Sequence, residues 1–297
     1  PFEQLSKRRA VHQDPELWSD SAKLKAEVAN AEVLVVRNRT QVTAEVIAAA
    51  PKLKVIARAG VGLDNIDIKA ADQAGVVVVA GLGANAVSVA ELTLGLALAL
   101  RRQIALQDRQ TKSGKWLRTP GNEISGSTWG LLGCGATGRA TAKLLTGFGC
   151  KVLGYDPFFK GNSEIQMVEW DQLIAQSDVI SVHMPATSET IGSINEQVFA
   201  AMKDSAILVN VGRGELINEN DLISALKDGQ IAGAGLDVRT SEPPTTGELE
   251  KLDNVILTPH VAGITKESQS AINQILVDNI DLVLDGKPAT HAVGANK

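Results

Sequence analysis

Arg213 and His260 are the residues whose types and positions most directly suggest chemistry. Arg213 lies between two glycines directly after the apolar stretch 206–210, and His260 follows the apolar stretch 255–258 behind Pro259. If both stretches are parallel strands, both side chains emerge at the carboxyl edge of one sheet, where ligands bind in such folds. A guanidinium can grip a carboxylate through two hydrogen bonds, and an imidazole can give or take a proton near neutral pH. Alone, either residue would more often be a surface charge or a hydrogen-bonded structural group; it is their joint occurrence at strand ends that favours a catalytic role.

A glycine-rich stretch is the second candidate site. The apolar run 128–132 leads into Gly133-x-Gly135-x-x-Gly138, and a helical pattern follows. Glycines there let the backbone turn tightly and approach a pyrophosphate, and the start of the helix faces the negative charge. Asp156 stands about twenty residues further on, where an acid can bind the adenosine ribose hydroxyls and repel a 2′-phosphate. The stretch predicts a dinucleotide site that favours NAD over NADP; the alternative is a glycine-rich turn in another α/β fold.

Together, the two candidate sites suggest hydride transfer between a nicotinamide and a 2-keto acid. That reaction needs a cation that binds the carboxylate and polarises the carbonyl. It also needs an acid that protonates the nascent alkoxide, and a partner that tunes this acid. Arg213 and His260 would supply the first two groups.

Strands and helices alternate along the chain and would position these residues. We expect strands at 33–36, 53–57, 76–79, 129–132, 151–155, 178–182, 206–210, 232–236 and 255–258, and helices at 17–29, 43–50, 65–74, 86–106, 137–147, 169–176, 195–201, 219–228 and 264–284. The continuous apolar run 33–36 is typical of a strand covered on both faces, helix 86–106 is apolar nearly all round and should be buried, and the polar segment 107–123 should be a loop. The alternation predicts an α/β protein with two Rossmann-like, doubly wound parallel-sheet domains.

We place the NAD-binding Rossmann domain at residues 85–267. The substrate domain takes residues 1–84 plus 268–297, because the helix 264–284 should cross back to the first domain. The substrate domain is then discontinuous, with hinges near residues 85 and 267.

Composition excludes several classes of protein. The 297 residues are 44% hydrophobic and 21% charged, and the net charge of −5 without a basic stripe argues against nucleic-acid binding. Two cysteines make no disulfide framework, so we expect a cytoplasmic protein. The most apolar run, 88–100, contains Glu91 and is shorter than the roughly 20 residues that a membrane span needs. We find no spacing typical of metal ligands and expect no metal.

Six motifs follow one another along nearly the whole chain. They are Arg58-Ala-Gly-Val-Gly-Leu-Asp-Asn-Ile-Asp67, Asn85-Ala-Val-Ser-Val-Ala-Glu91, the glycine fingerprint, Asn210-Val-Gly-Arg-Gly-Glu-Leu216, Leu236-Asp-Val-x-x-x-Glu-Pro243 and Thr258-Pro-His-Val-Ala-Gly263. In this order they resemble the D-isomer-specific 2-hydroxyacid dehydrogenases, in the branch of phosphoglycerate dehydrogenases and hydroxypyruvate reductases. The resemblance implies an NAD-dependent enzyme that interconverts a D-2-hydroxy acid and its 2-keto acid.

The resemblance also implies roles for individual residues. Arg213 would anchor the keto acid, and His260, paired with Glu242, would give the proton in reduction and act as the base in oxidation. Asp237 would lie near the nicotinamide carboxamide, with a strand-end cap as the alternative, and His183 would be a wall of the cofactor pocket rather than a second catalyst. Substrate binding is implied for Gly60, Val61, Gly62 and Asn85, and cofactor binding for Gly133, Gly135, Ala136, Thr137, Gly138, Asp156, His183, Met184, Pro185, Val211, Gly212, Asp237 and Gly263. Relatives dimerise through the cofactor domain, which implies a homodimer.

Two arginines predict the kind of substrate. Arg37 and Arg58 both follow expected strands of the first domain, and similar positions in phosphoglycerate dehydrogenases bind the distal phosphate. We expect a second anionic group on the substrate, as in 3-phosphoglycerate or sulfolactate; the alternative is that one or both arginines form structural ion pairs. Smaller substrates such as glycerate or hydroxypyruvate stay open.

Rival functions also stay open. Some relatives bind NAD(H) and act as transcriptional corepressors, and the three candidate catalytic residues do not exclude such a protein. A formate dehydrogenase is disfavoured because its pattern has glutamine where this chain has Glu242.

Two features depart from the family pattern. Arg239 stands where the family usually has an aromatic residue. The chain ends at Lys297 without the regulatory extension of many phosphoglycerate dehydrogenases, so we expect no feedback by serine.

Overall fold

The computed structural model of the protein describes residues 2–296, and the chain forms two compact units. Unit 1 comprises Pro1–Asn85 and Ile264–Lys297, and unit 2 comprises Ala86–Gly263. From the sequence we expect the cofactor domain to begin at residue 85 and the last segment of the substrate domain to begin at residue 268. Unit 2 begins one residue later, and the second segment of unit 1 begins four residues earlier.

The elements are numbered in chain order. The strands are β1 (Val33–Val36), β2 (Val55–Arg58), β3 (Val77–Ala80), β4 (Thr128–Leu132), β5 (Lys151–Tyr155), β6 (Gln166–Met167), β7 (Val179–Val182), β8 (Ile207–Asn210), β9 (Gly233–Leu236), β10 (Val255–Leu257) and β11 (Ala292–Val293). The helices are α1 (Phe2–Ser6), α2 (Ser21–Val28), α3 (Ala44–Ala48), α4 (Ile68–Gln73), α5 (Ala86–Arg101), α6 (Ile104–Lys112), α7 (Ala136–Leu145), α8 (Trp170–Gln176), α9 (Glu196–Ala201), α10 (Glu219–Lys227) and α11 (Lys266–Leu284), with short 3-10 turns at Leu17–Ser19, Thr146–Phe148, Gly214–Leu216 and Leu249–Lys251.

Unit 2 is built on a seven-stranded parallel sheet with the strand order β10-β9-β8-β7-β4-β5-β6. The chain starts at β4, runs outward through β5 and β6, and then crosses to β7 on the other side, so the strand order reverses between β4 and β7. Helices cover both faces, which explains why the strands are continuous apolar runs. Phe199 of α9 and Leu222 of α10 belong to one core cluster, and Leu96 of α5 and Leu145 of α7 belong to the other.

Unit 1 has a smaller sheet with the order β1-β2-β3-β11, in which β11 pairs antiparallel with β3. Successive residues of β2 point to opposite faces, and Ile56 and Val55 enter different core clusters. The first cluster is completed by helices α2 to α4. The second is completed by Ile272, Leu276 and Ile280 of α11, so the final long helix packs on the sheet of unit 1. The α/β fold with two parallel-sheet domains is therefore as predicted.

Several local expectations were wrong. Strand β1 is not covered on both faces, because Val35 is exposed; it lies at the edge of its sheet. The expected helix 86–106 ends at Arg101 because the Arg101 carbonyl accepts a hydrogen bond from the Asn122 amide (2.8 Å), and Gln103 adopts a left-handed conformation with φ 53°. Helix α6 then extends into the expected loop as far as Lys112. The long helix is also not buried all round, because Val87 is exposed.

Two strands of two residues each, β6 and β11, lie outside every segment predicted to be a strand. No helix within residues 2–296 is long and apolar enough to cross a membrane.

Candidate active site

Five strands of unit 2 end together at one edge of the sheet. Leu132, Val182, Asn210, Leu236 and Leu257 are successive partners across β4, β7, β8, β9 and β10. The residues that follow them are Gly133, His183, Val211, Asp237 and Thr258. Because neighbouring strands lie about 4.8 Å apart, these residues form a row roughly 19 Å long. This carboxyl-edge row contains the reversal of strand order between β4 and β7, where ligands bind in open α/β sheets.

The glycine loop at one end of the row fits a pyrophosphate. Gly133 has φ 96°, and a Cβ there would lie 2.9 Å from the backbone of His183 and Met184. A Cβ at Gly138 would collide with the Gly133 carbonyl, so helix α7 packs directly on the turn. A Cβ at Gly135 would meet no heavy atom within 4 Å, and α7 starts there without a side-chain cap, which leaves its first amides as donors towards open space. The turn, the close packing and the open space are what a dinucleotide loop requires.

Asp156 lies against this loop from the end of β5. Its Oδ2 accepts a hydrogen bond from the Cys134 amide (2.7 Å), and its Oδ1 accepts one from the Phe158 amide (2.8 Å). Burial, with a smaller contribution from Asp156, raises the pKa of the Cys134 thiol to about 12. The thiol is therefore protonated at neutral pH and acts as a small apolar wall of the loop.

His183 closes a short chain of hydrogen bonds that starts at β4. The Trp129 indole donates to Ser181 Oγ (2.8 Å), and this oxygen lies 3.0 Å from His183 Nε2. Because Ser181 Oγ has no other acceptor recorded within residues 2–296, its proton goes to Nε2, and the His183 proton resides on Nδ1. Nδ1 is buried and has no hydrogen-bond partner in the described part of the chain. Burial lowers the pKa of His183 to about 3, so the ring is neutral near pH 7. His183 therefore does not carry the extra proton that an acid catalyst would have to give to a substrate.

Asn210 shapes the turn that carries Arg213. It belongs to one of the sequence motifs, but from the sequence we assigned no role to it. Its buried side chain accepts a hydrogen bond from the Gly212 amide (3.0 Å) and donates one to the Arg213 carbonyl (2.9 Å). A Cβ at Gly212 would lie 2.9 Å from the Met184 carbonyl, so the loops after β7 and β8 touch. Arg213 itself donates from Nη1 to the Gly212 carbonyl (2.9 Å).

Asp237 holds the turn that carries His260. The buried carboxylate accepts hydrogen bonds from Thr258 Oγ1 (2.6 Å) and from the amides of Val261 (2.9 Å) and Ala262 (2.8 Å). His260 donates its own amide to the Asp237 carbonyl (2.7 Å) and adopts a left-handed conformation with φ 54°. These contacts are typical of a residue that caps the end of a strand. For Asp237 the sequence left two roles open, this cap and a contact with the nicotinamide carboxamide.

His260 and Glu242 form a hydrogen-bonded pair. His260 Nδ1 lies 2.7 Å from Glu242 Oε2, and because a carboxylate only accepts, Nδ1 is the donor. The side chains of His260 and Glu242 are 50% and 38% exposed. His260 Nε2 makes no recorded hydrogen bond with residues 2–296. The carboxylate thus fixes the ring, and Nε2 is the atom that can hold or move a proton.

The predicted substrate residues of unit 1 also gather at a sheet edge. Arg58 is the last residue of β2 and pairs with Val36, the last residue of β1, so Arg37 directly follows the end of β1. The Arg58 guanidinium donates to the Ala59 carbonyl (3.1 Å) and fills the space that a Cβ at Gly60 would need. No ion pair is recorded for Arg37 within the described residues.

The backbone that follows Arg58 offers two donors. The Gly60 amide already donates to the Arg58 carbonyl (2.8 Å), whereas the amides of Val61 and Gly62 donate to no other residue in the described range. The buried Asn85 Oδ1 likewise has no hydrogen-bond partner within residues 2–296. In that same range no cluster of three or more His, Cys, Asp or Glu could hold a metal ion.

Comparison with known proteins identifies the family. Residues 94–262 match the family model of the D-isomer specific 2-hydroxyacid dehydrogenase, NAD binding domain. The chain is 46% identical over 274 residues to a D-3-phosphoglycerate dehydrogenase of Archaeoglobus fulgidus, which covers 90% of this chain and 52% of that protein. It is 41% identical over 283 residues to the D-3-phosphoglycerate dehydrogenase of Mycobacterium leprae, and this match covers 93% of this chain and 54% of that protein. The chain therefore spans about half the length of the curated relatives it matches.

A solved structure with the same fold is the TT0316 protein from Thermus thermophilus. It is 32% identical with a TM-score of 0.89, and the match covers 98% of this chain and 96% of that one. With the family model matching more than half of its residues, the chain belongs to the D-isomer specific 2-hydroxyacid dehydrogenase family, and unit 2 contains its NAD-binding domain.

Proposed function

We propose that the protein is an NAD-dependent oxidoreductase that interconverts a D-2-hydroxy acid and its 2-keto acid. The observation that carries the proposal is the carboxyl-edge row. It places the glycine loop, Arg213 and the Glu242–His260 pair on loops that follow strands of a single parallel sheet.

Each group has a defined task in this reaction. NAD(H), when bound, supplies or accepts the hydride. Arg213 binds the substrate carboxylate and polarises the neighbouring carbonyl. His260 gives the proton from Nε2 to the carbonyl oxygen in reduction and takes it back in oxidation, while Glu242 holds Nδ1–H and so keeps the ring in the required tautomer.

We assign cofactor binding to the glycine loop and to the backbone around it. The first amides of α7, at Ala136 and Thr137, suit the pyrophosphate, and Asp156 favours NAD over NADP because a carboxylate repels a 2′-phosphate. We also assign cofactor binding to residues on the loops that follow β7, β8, β9 and β10 in the row. These residues are His183, Met184, Pro185, Val211, Gly212, Asp237 and Gly263.

In unit 1 we assign Val61, Gly62 and Asn85 to substrate binding, with Gly60 shaping the turn. Arg37 and Arg58 suit a second anionic group, such as the phosphate of 3-phosphoglycerate, because they lie at the ends of two paired strands. The named dehydrogenases at 46% and 41% identity support the same class of substrate.

Replacement of Arg58 with Ala tests the second anionic group. We expect KM to rise for dianionic substrates and to change little for glyoxylate, which has one negative charge. Arg39→Ala is the matched control, because it removes another arginine of unit 1 whose guanidinium stacks on Trp18 at 4.9 Å. An equal rise in KM for glyoxylate would contradict a role of Arg58 in binding the second anion.

Turnover tests the proposed function as a whole. NADH binding is first measured by fluorescence, and NADH oxidation is then followed with glyoxylate, hydroxypyruvate, phosphohydroxypyruvate and sulfopyruvate. We expect oxidation with at least one of them. Binding of NADH without turnover of any of the four would reject the enzyme and favour an NAD(H)-binding regulatory protein of the same fold.

We further propose a homodimer through unit 2 in a cytoplasmic setting. Trp116 is 81% exposed and is accompanied by exposed Ile104 and Leu117, an apolar surface of the kind that protein interfaces cover. Cys134 and Cys150 are free thiols, which suits a reducing compartment. Sedimentation should show a dimer that Trp116→Ser weakens and the control Trp18→Ser does not; a monomer in the wild type would reject the dimer.

A further inference from the structure

Arg239, the departure from the family pattern, holds two acidic side chains at once. Its Nε and Nη2 bind Glu219 Oε1 and Oε2 at 3.0 and 2.9 Å, and its Nη1 binds Glu250 Oε1 at 2.8 Å. All three nitrogens are used, and the side chain is only 11% exposed. Glu219 is the first residue of α10, and Glu250 lies in the 3-10 turn Leu249–Lys251. The guanidinium therefore ties the loop after β9 to two other elements of unit 2.

The same loop holds Glu242 through the backbone. The Arg239 amide donates to Glu242 Oε1 (3.2 Å), and the next amide, that of Thr240, donates to Glu219 Oε1 (3.1 Å). Two successive amides thus bind two different carboxylates. Because Arg239 grips Glu219 with two further hydrogen bonds from its side chain, the position of the Arg239 backbone depends on this ion pair. A shift of that backbone would move the Arg239 amide, which holds Glu242, together with the peptide between residues 239 and 240.

The other side of this peptide lies against the turn of Arg213. A Cβ at Gly214 would collide with the Arg239 carbonyl group and the Thr240 nitrogen, so the two backbones are in direct contact. Gly214 follows Arg213 in the chain. The Arg239 backbone is therefore held on two sides: its carbonyl group lies against the backbone next to Arg213, and its amide binds the carboxylate that orients His260.

We propose that Arg239 is a positioning residue of the active site. Through Glu219 and Glu250 it fixes its own backbone, through its backbone amide it fixes Glu242, and through Glu242 it fixes the tautomer of His260. The catalytic consequence rests on the proposed function. The family usually has an aromatic residue at this position, and an aromatic side chain cannot form these ion pairs. In this chain the ion pairs of Arg239 with Glu219 and Glu250 stabilise the loop instead.

Kinetics of Arg239→Met test the catalytic consequence. We expect kcat to fall roughly 10- to 100-fold, because a small misplacement of a catalytic group is costly, while KM for NADH changes little. Arg239→Lys keeps the charge but loses the forked geometry, and should recover part of the loss. Arg109→Met is the matched control, because it removes an exposed ion pair with Asp253 elsewhere in unit 2; its activity should equal that of the wild type.

A double-mutant cycle separates positioning from general weakening of the fold. If Arg239 acts through Glu242, adding Arg239→Met to Glu242→Gln should cause little further loss of kcat. Losses that multiply would overturn the proposal. If Arg239→Met fails to fold, Glu219→Gln replaces it in the cycle, because it breaks the same clamp and leaves Arg239 in place.

The tautomer of His260 gives a readout that does not need turnover. The chain has four histidines, so their imidazole nitrogens can be resolved by long-range ¹H–¹⁵N spectra. We expect His260 in the wild type to carry its proton on Nδ1 and the folded Arg239→Met protein to show a mixture of tautomers. An unchanged His260 signal in that variant would overturn the proposal. If the wild type turns over none of the four keto acids, the proposed function fails, while this measurement still decides whether Arg239 fixes His260.

Discussion

Asn210 shows how a buried polar residue can aim a reactive one. Its amide group bonds on both sides of the turn, to the Gly212 amide and the Arg213 carbonyl, and so determines where the Arg213 side chain starts. Asp237 does the same for His260 with three accepted hydrogen bonds. Both residues act on a backbone rather than on a reacting atom, which is why the type of residue alone does not reveal their role.

Asn210→Ala should therefore weaken substrate binding without affecting the cofactor. Loss of two hydrogen bonds at a buried site costs about 1–3 kcal/mol, and part of this cost should appear as a kcat/KM for the keto acid that is roughly tenfold lower. Fluorescence titration should give an unchanged Kd for NADH. Asn254→Ala is a suitable control, since the Asn254 side chain makes only a long 3.4 Å bond to the Leu226 carbonyl. A loss confined to NADH affinity would contradict the role of Asn210.

We expect the choice between NAD and NADP to depend on one residue as well. Asp156→Asn removes the negative charge but keeps an oxygen that can accept the Cys134 amide. We expect kcat/KM for NADPH to rise relative to that for NADH, because the repulsion of the 2′-phosphate is gone. Glu164→Gln, which removes a partly exposed charge, should leave the ratio unchanged. A ratio that does not move in Asp156→Asn would show that other groups select the cofactor.

At the scale of elements, helix α10 is joined to the loop after β9 by the ion pair of Glu219 with Arg239. The hydrogen bonds from Arg239 hold the pKa of Glu219 below the ordinary value of 4.5. A carboxyl group whose pKa is lowered on folding stabilises the folded state above its unfolded pKa, and this stability is lost as the pH falls through the folded pKa. The connection should therefore weaken only in acid.

Glu219→Gln tests this pH dependence. At pH 7 the variant should have a lower Tm than the wild type, and the difference should shrink as the pH falls from 4.5, the pKa of the unfolded state, through the lower pKa of the folded state. Thermal scans at pH 7, 5 and 3 measure the difference. A difference that stays constant down to pH 3 would mean that the ionised carboxylate is not what stabilises α10.

Elements with a strong local pattern were predictable, and those that depend on a distant partner were not. The apolar runs of β4, β5, β7, β8 and β9 predicted those strands to within one residue, because burial on both faces requires such runs. The end of α5 depends on an amide at Asn122, and β11 exists only because β3 pairs with it. The same reason applies to the site. The glycine loop lies on one continuous segment, whereas the partners of Arg239 lie at positions 219 and 250.

At the scale of the whole molecule, unit 2 is one continuous segment, whereas unit 1 is assembled from two distant ones. Asp72 joins the two segments of unit 1, because its Oδ1 accepts hydrogen bonds from the amides of Ala295 (2.8 Å) and Asn296 (3.3 Å). The integrity of unit 1 therefore depends on contacts between segments more than 200 residues apart.

Asp72→Ala should loosen unit 1 alone. Hydrogen exchange followed by mass spectrometry should show faster exchange in β11, while the strands of unit 2 and the affinity for NADH stay as in the wild type. The matched control is Asp108→Ala, which removes an exposed ion pair with Lys112 in unit 2. Unchanged exchange in β11 would show that Asp72 does not hold the second segment in place.

The pairing of β3 with β11 also has a consequence for synthesis on the ribosome. All strands of unit 2 have been made when Gly263 emerges, but β3, the apolar segment Val77–Ala80, keeps one edge uncovered until Ala292 is added. Domains generally fold as units during synthesis, and an uncovered apolar edge is a template for pairing with another chain. A nascent chain halted before residue 292 would thus contain all the strands of unit 2, whereas β3 of unit 1 would have one edge without a partner strand. We expect this truncated chain to aggregate more readily than the full chain.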